Sequence, residues 1–377
     1  MSTISSTIGN PLKQLARFGQ SVWLDYIRRS LMISGELRRM VDEDGLGGMT
    51  SNPAIFEKAI VGGEEYADFL ARLKADGSLD AKALYEKLAI RDIQDAADVL
   101  RPVYHQSARR DGYVSLEVAP YLAHDTEATV EEARRLWATV NRPNLMIKVP
   151  GTPAGVPAIE TLLSEGINVN TTLLFSQEMY EEVAWAFVRA LEKRAAQGLE
   201  LSGIAGVASF FVSRIDTSVD GLIDKRLSGS NDAERARLES FRGKVAIANA
   251  KLAYERYKRI FSGMRWETLA AKGAQTQRVL WASTSTKNPK LRDVLYVEEL
   301  IGKDTVNTIP PATYDAFRDH GEPRASLDED LDGARQVMLD LAAAGISIQQ
   351  VTDDLVAAGV KQFEDAFGNL LAAIEYK

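Results

Sequence analysis

The chain has 377 residues, of which 45% are hydrophobic and 26% are charged, and these proportions are typical of a globular protein. The net charge of -8 argues against nucleic-acid binding, although a local cluster of arginine and lysine can still hold an anionic ligand. The absence of cysteine excludes disulfides and thiolate metal sites, and the three scattered histidines argue against a zinc site, so we expect no metal.

The N-terminal residues and the hydropathy of the chain bear on the location and assembly of the protein. Residues 1–20 are polar and lack the apolar core of a signal peptide, and no apolar run is long enough to span a membrane. We therefore expect a cytoplasmic protein with no membrane partner. The pattern does not separate an apolar surface stripe from core, so a homodimer stays open.

Short apolar runs alternate with helical patterns along the whole chain. Eight of these runs are predicted to be strands, which are Ser21–Asp25, Gly45–Thr50, Tyr113–Glu117, Leu145–Lys148, Ile167–Thr172, Gly203–Ala208, Val279–Ser283 and Thr305–Ile309.

Helix signals lie between and after the predicted strands. Asp125–Val140 contains the capping box Thr129 and Glu132, and a second box, Ser326 and Glu329, predicts a helix that ends near Gly345. The other predicted helices are Pro157–Ser164 ended by Gly166, Met179–Ala195 capped by Ser176, and a long segment, Asn231–Phe261, with a break at Gly243.

Strand and helix alternate about eight times, which predicts an α/β fold of the (β/α)₈ TIM-barrel type. The alternative is a doubly wound sheet, which usually has a glycine-rich turn after its first strand, whereas here Asp25-Tyr-Ile-Arg28 stands at that point. Because no repeat or Pro/Ser-rich linker divides the chain, we predict one domain over residues 1–377, with extra helices at the termini.

The run Leu145–Pro150 places a lysine, Lys148, at the end of a short strand that should be buried. Such a lysine either reaches outward or is partly desolvated. Desolvation disfavours the ammonium form, so more of the amine is neutral and nucleophilic. A neutral amine beside a sugar carbonyl forms a Schiff base, which makes Lys148 the predicted nucleophile.

Polar residues recur at or just after the ends of the predicted strands, where a barrel has its active-site mouth. Each also has a structural interpretation: the carboxylates could form ion pairs, an Asn-Pro pair could simply start a helix, and the serines and cations could be loop caps and surface charges. Their recurrence in otherwise apolar strands favours a site, formed by Asp25, Asn52, Glu117, Lys148, Asn170, Thr172, Ser209 and Lys287.

Five motifs, in order along the chain, strongly resemble transaldolases, and the longer bacterial type most closely. They are Met49-Thr-Ser-Asn-Pro53, Leu145-Met-Ile-Lys-Val-Pro150, Gly166-Ile-Asn-Val-Asn-Thr-Thr-Leu-Leu-Phe-Ser176, Ser209-Phe-Phe-Val-Ser-Arg-Ile215 and Ala282-Ser-Thr-Ser-Thr-Lys-Asn-Pro289. The resemblance implies a (β/α)₈ barrel and a cofactor-free transfer of a dihydroxyacetone unit from a ketose phosphate to an aldose phosphate, in the pentose phosphate pathway. The implied donors are sedoheptulose 7-phosphate and fructose 6-phosphate, and the acceptors are glyceraldehyde 3-phosphate and erythrose 4-phosphate.

The resemblance also implies a role for each site residue. Lys148 is the Schiff-base lysine, and Asp25 is the general acid and base. It further implies that Glu117 and Thr172 hold the catalytic water and that Arg214 binds the phosphate. The residues implied to bind substrate hydroxyls are Asn52, Asn170 and Ser209. The family's second phosphate arginine has no identical counterpart here, and Lys287, in the segment Ser283–Lys287, is the expected substitute.

Three alternative functions compete with this interpretation. A fructose 6-phosphate aldolase releases dihydroxyacetone instead of transferring it, but those shorter relatives carry glutamine and tyrosine where this chain has Glu117 and Phe211. A non-catalytic sugar-phosphate binding protein should have lost Lys148, Asp25 or Glu117, all of which are present. A pyridoxal-phosphate enzyme would need a glycine-rich phosphate cup, and none is found.

Overall fold

The computed structural model describes residues 9–75 and 77–376, so the part of the N-terminal expectation that falls on residues 1–8 lies outside the described residues. Eight parallel strands close into a barrel in chain order, which confirms the predicted (β/α)₈ fold. Each predicted strand is present, with its ends shifted by three residues or fewer. The strands are β1 (Gln20–Asp25), β2 (Gly48–Thr50), β3 (Tyr113–Glu117), β4 (Leu145–Pro150), β5 (Val169–Leu174), β6 (Gly206–Phe211), β7 (Arg278–Ala282) and β8 (Thr305–Ile309).

Helices surround the barrel and occupy every connection between consecutive strands. In the described ranges the α-helices are α1 (Pro11–Leu15), α2 (Arg29–Ile33), α3 (Glu36–Arg39), α4 (Pro53–Gly62), α5 (Ala67–Lys74), α6 (Ala81–Gln106), α7 (Thr126–Val140), α8 (Gly155–Glu165), α9 (Gln177–Ala196), α10 (Ser213–Leu227), α11 (Asp232–Glu239), α12 (Val245–Ile260), α13 (Met264–Ala270), α14 (Leu295–Glu298), α15 (Pro311–His320), α16 (Leu331–Ala343) and α17 (Ile348–Tyr376).

Three of the predicted helix signals are confirmed. The Ser176 hydroxyl caps α9 by accepting a hydrogen bond from the backbone N–H of Met179 at 3.1 Å. Gly166 ends α8 in the left-handed region, at φ 97°, where a side chain would be strained. Gly243, at φ 71°, separates α11 from α12 and so breaks the long segment as expected.

Both predicted capping boxes are wrong. Helix α7 is capped by Asp125, which accepts from the N–H of Ala128 at 3.0 Å, while the Thr129 hydroxyl donates to a backbone carbonyl. Helix α16 starts later than predicted, at the cap Asp330, and Ser326 instead accepts from the N–H of Ile301. In both cases an aspartate beside the true start makes the cap, because a short carboxylate reaches the free N–H groups of the first turn.

The terminal helices pack onto the outside and the top of the barrel. Helix α1 contacts α15, and α16 contacts α12. The long α17 contacts α4, α6, α10 and β5. Because α4 and α10 begin where β2 and β6 end, α17 crosses the C-terminal mouth of the barrel. No helix in the described ranges is long and apolar enough to cross a membrane.

The barrel interior is tightly filled where β1 and β2 lie side by side. Trp23 on β1 is fully buried and pairs in register with Gly48 on β2. The Trp23 indole N–H donates to Asp111 at 2.8 Å, which fixes the ring over the glycine. A Cβ atom at Gly48 would lie 2.5 Å from two indole carbons, so only glycine fits at this position.

We expect Gly48→Ala to destabilise the protein by about 1–3 kcal/mol, because inserting a methyl group into a packed interior forces neighbouring atoms to move. Thermal unfolding measures the effect. Gly368→Ala is the matched control, since no atom lies within 4 Å of a Cβ at that position on α17. The control should keep or raise the melting temperature. Equal melting temperatures for the two variants would contradict the crowding at Trp23.

Candidate active site

Lys148 lies at the centre of the mouth of the barrel, on β4. It is only 4% exposed, and its strand neighbours in register are Glu117 on β3 and Asn170 on β5. Its Nζ donates to the carbonyl oxygen of Ser51 at 3.0 Å and lies 3.4 Å from Oε2 of Glu117. The side chain therefore points into the site instead of reaching outward to bulk water.

Glu117 ends β3 and is 7% exposed. Apart from the ion pair with Lys148, neither carboxylate oxygen has a hydrogen-bond partner among the described residues. Burial raises the pKa of Glu117 to about 7, and the positive charge of Lys148 opposes this rise. A carboxyl group that titrates near neutral pH can both give and take a proton, as a general acid and base must.

Thr172 lies on β5 beside a distortion of the strand. It is fully buried, and its hydroxyl has no partner within the described part of the chain. The next residue, Leu173, has φ 58°, and the pairing of β5 with β6 shifts register between Thr171 and Leu174. A bulky residue at positive φ is a costly conformation that is often found at functional sites.

Asp25 ends β1 and keeps partial exposure to the cavity at the mouth. Its Oδ1 accepts a hydrogen bond from the Thr50 hydroxyl at 2.7 Å, and the Thr50 oxygen also lies 2.6 Å from the Thr308 hydroxyl. Burial raises the pKa of Asp25, while the nearby charge of Lys148 opposes that effect. Thr50 holds this carboxyl group in place. It was missed at the sequence level although it ends β2, the same signal that identified the other residues.

Asn170 and Ser209 form a buried pair next to Lys148. The Ser209 hydroxyl donates to Oδ1 of Asn170 at 2.6 Å, and the Asn170 amide group donates to the Ser115 hydroxyl at 3.0 Å. Ser209 lies within β6, not after it, because the strand runs three residues further than predicted. Both predicted residues are therefore brought together with the lysine.

Asn52 has two roles. Its side-chain oxygen accepts from the N–H of Ile55 at 3.0 Å and caps α4, so the structural interpretation of the Asn-Pro pair is correct. The residue also lines the cavity at the mouth. The cap uses the oxygen and leaves the amide N–H group for other partners.

A cavity of about 260 Å³ opens above these residues, near the lower end of the size range for small-molecule sites. Phe211 and Phe363 form part of its apolar wall. Of the residues predicted from the sequence, six line it, while Glu117, Asn170 and Thr172 are buried beneath; the six are Asp25, Asn52, Lys148, Ser209, Arg214 and Lys287.

Cationic side chains line the outer part of this cavity. The guanidinium of Arg214 is half-buried and lies 5.3 Å from the centre of the Phe211 ring, with no ion pair to any described residue. Burial lowers the pKa of Arg214, and Asp25 opposes this shift. Lys287 is exposed and donates to the Ser285 hydroxyl at 2.8 Å. Lys58 on α4 is a third cation of the lining, which the sequence did not single out.

The loop that carries Lys287 is tied to the helix that carries Arg214. The hydroxyls of Ser213 and Ser283 lie 3.0 Å apart, and the Asn288 amide group donates to Asp220 of α10 at 3.4 Å. Arg242, between α11 and α12, pairs in turn with Asp220. The segment 231–261 thus supports the helix and the loop that present the two cations.

A buried lysine paired with a carboxylate, beside a second carboxyl group and beneath a cation-lined cavity, is the arrangement expected of a lysine-dependent (β/α)₈-barrel enzyme. Residues 22–374 match the family described as Transaldolase/Fructose-6-phosphate aldolase. The chain belongs to this family.

Curated relatives match over nearly the full length of both proteins. The transaldolase of Trichodesmium erythraeum (strain IMS101) is 49% identical, with 98% of each chain covered. Transaldolase 2 of Nostoc punctiforme is 51% identical over 98% of this chain and 97% of the relative. The transaldolase of Thiobacillus denitrificans is 50% identical over 97% of this chain and 99% of the relative.

We expect Glu117→Gln to change how the stability of the protein depends on pH. A glutamate has an ordinary pKa of 4.5, and burial raises the pKa of Glu117 to about 7, so the folded state holds this proton more tightly. The stability that it contributes is full below pH 4.5 and is lost as the pH rises to 7. The loss is on the order of 3 kcal/mol.

Urea unfolding at pH 5 and at pH 8 measures this difference. At pH 5 the buried Glu117 and the glutamine that replaces it are both uncharged, so the two proteins should differ little in stability. Between pH 5 and pH 8 the parent protein should lose stability as Glu117 ionises, and Glu117→Gln should not. Parallel pH profiles for the two proteins would show that Glu117 ionises at its ordinary pH.

Proposed function

We propose that this protein is a transaldolase, which transfers a dihydroxyacetone unit from a ketose phosphate to an aldose phosphate. The donors are sedoheptulose 7-phosphate or fructose 6-phosphate, and the acceptors are glyceraldehyde 3-phosphate or erythrose 4-phosphate. The observation that carries the proposal is the buried Lys148 Nζ, 3.4 Å from Glu117 and open to a cation-lined cavity. The transaldolase names of relatives near 50% identity support it.

The reaction starts with attack of the Lys148 amine on the ketone carbon of the donor. An ammonium cannot attack, and Glu117 is placed to take its proton. Water then leaves the carbinolamine to give an iminium. In this proposal, Glu117 and Thr172 handle that water, because both present buried polar atoms that no described residue satisfies.

Asp25 is the proposed base for the bond cleavage. It removes the proton of the C4 hydroxyl, the C3–C4 bond breaks, and the electron pair moves into the iminium. The aldose phosphate leaves, and the three-carbon unit stays bound as an enamine. Because the iminium takes up the electrons, this step needs no further cofactor. The hydrogen bond from Thr50 holds the carboxyl group in place during this proton transfer.

We assign the remaining residues to substrate binding. Asn52, Asn170 and Ser209 bind substrate hydroxyls. Arg214 binds the phosphate, supported by its half-buried guanidinium without an ionic partner in the described chain. Lys287 supplies the second charge from the loop tied to α10.

The related aldolase reaction, in which dihydroxyacetone is released, is the nearest alternative. The two positions that distinguish it are Glu117, which contacts Lys148, and Phe211, which lines the cavity. Both carry the residues that we associate with transfer, so they favour the transaldolase.

Further proposals concern the protein as a whole. We propose that residues 1–377 form one domain, since terminal helices α1, α16 and α17 all pack on the barrel or its helices. Phosphorylated sugars as substrates support a cytoplasmic location and a role in the pentose phosphate pathway. A homodimer is the assembly that we propose to test, by analytical ultracentrifugation.

Lys148→Ala should abolish transfer and leave the fold intact, because a methyl group cannot act as a nucleophile. Borohydride reduction in the presence of fructose 6-phosphate traps the adduct, and peptide mass spectrometry locates it. The control is Lys251→Ala, which removes another buried lysine, on α12, and should retain trapping. An adduct that persists in Lys148→Ala at a different lysine would overturn the assignment.

Arg214→Ala should weaken the binding of phosphorylated donors by about 10- to 100-fold, since loss of a charge-assisted contact costs about 1.5–3 kcal/mol of binding free energy. Lys287→Ala should act in the same direction but less strongly, because an ammonium lacks the two-pronged guanidinium contact. Lys290→Ala, an exposed lysine of the same loop, is the control. The kcat/KM for fructose 6-phosphate is compared with that for fructose. An equal loss on both sugars would indicate a structural role.

A further inference from the structure

The apolar wall of the site comes partly from a helix that lies far along the chain from the barrel residues. Phe363 of α17 is 3% exposed, and the centre of its ring lies 5.9 Å from Nζ of Lys148. It lines the same cavity as Lys148 and Asp25. The amine also has two polar contacts, the Ser51 carbonyl and the Glu117 carboxylate. Phe363 is therefore an apolar cover beside a polar group.

The same helix is seated on the distorted part of β5. Gly359, one turn before Phe363, is buried against Leu173, and a Cβ at this glycine would lie 2.8 Å from a methyl carbon of that leucine. Leu173 is the residue at positive φ that follows Thr172. Residues four apart share one helix face, so contact at Gly359 places Phe363 toward the lysine.

The competing explanation for the position of Phe363 is that it simply packs α17 onto the barrel. Phe367, one helix turn further on, is an example of such a packing residue. Phe367 is also buried, at 5% exposed, but its ring meets Tyr85 at 5.4 Å and Tyr121 at 6.2 Å. It does not line the cavity above Lys148 but a separate, much smaller cavity of about 10 Å³, which Tyr85 and Glu117 also border. The two phenylalanines are thus alike in burial and differ in what they face.

We propose that Phe363 is a positioning residue that limits access of water to the Schiff base and thereby favours transfer over release of dihydroxyacetone. This inference rests on the proposed transaldolase function. The enamine left after bond cleavage has two fates, which differ in whether the acceptor or water reaches it first. In transfer, C3 forms a new bond to the aldehyde carbon of the acceptor and the aldehyde oxygen takes up a proton. Water then hydrolyses the new iminium at C2 and frees the product ketose and Lys148.

Release requires a different sequence of bond changes. A proton adds to C3 of the enamine to give the iminium, and a water oxygen then bonds to C2. One water proton moves to the nitrogen, the C2–N bond breaks with its electron pair on the lysine, and the other water proton leaves as the carbonyl forms. A ring held against the nitrogen occupies space through which that water must approach C2.

The test uses the full-length protein and measures how the bound three-carbon unit is divided between transfer and release. Each variant receives fructose 6-phosphate and a fixed amount of erythrose 4-phosphate, and the ratio of free dihydroxyacetone to sedoheptulose 7-phosphate is determined. This ratio does not depend on how much of the enzyme is active, so partial unfolding does not move it. The variants are Phe363→Ala, Phe363→Leu and the matched control Phe367→Ala.

Phe363→Ala should raise the ratio about tenfold, whereas Phe363→Leu, which keeps apolar bulk, should stay within about twofold of the parent. Phe367→Ala should leave the ratio unchanged. If Phe363→Ala does not fold, Phe363→Val gives the same comparison with a smaller loss of volume.

Three results would overturn the inference. An unchanged ratio in Phe363→Ala, or an equal rise in Phe363→Leu, would show that the bulk of the ring does not exclude water. An equal rise in Phe367→Ala would show that any loosening of α17 has this effect. A parent protein that makes no sedoheptulose 7-phosphate would instead overturn the proposed function.

Discussion

The placement of a lysine and a glutamate together in the interior of a barrel is the constraint on which the rest of the site depends. Removing two charges from water costs several kcal/mol for each ion, and mutual attraction offsets this cost only when further polar contacts are present. Lys148 has one such contact, the Ser51 carbonyl at 3.0 Å. Glu117 has none among the described residues, which is why burial raises its pKa to about 7. The same shortage of partners that costs stability leaves both groups free for proton transfer.

Much of this arrangement is readable from the sequence because parallel strands are buried on both faces. They appear as short apolar runs, and a polar residue within or after such a run is conspicuous. Asp25, Glu117 and Lys148 were identified in this way, and each lies at the mouth of the barrel. The residues at which the strands end were predicted less accurately. Ser209 is inside β6, yet it still faces Asn170, because its contact depends on which face of the strand it occupies and not on where the strand stops.

The features that the sequence did not reveal depend on contacts between distant segments. The cap of α16 was misplaced because the same Ser-x-x-Glu pattern occurs where Ser326 bonds to the turn near Ile301 instead. The contact of Phe363 with Lys148 depends on how a whole helix crosses the barrel mouth, and an amphipathic pattern does not state which surface it will cover. Gly359 carried a signal, since a glycine inside a long helix often marks a close approach.

The family description covers transaldolases and fructose 6-phosphate aldolases, and in the mechanism that we propose, transfer and release of the three-carbon unit both pass through Lys148. A difference between them cannot arise from the nucleophile, so it must arise from what reaches the enamine first. Three groups around Lys148 in this protein bear on that competition from different directions. Glu117 lies 3.4 Å from the amine of Lys148, Phe211 forms the wall beneath Arg214, and Phe363 covers the amine from the C-terminal helix. Because two of these groups are apolar and buried, the control of water that we propose works largely by filling space, so the chemistry of the lysine can stay the same while the product changes.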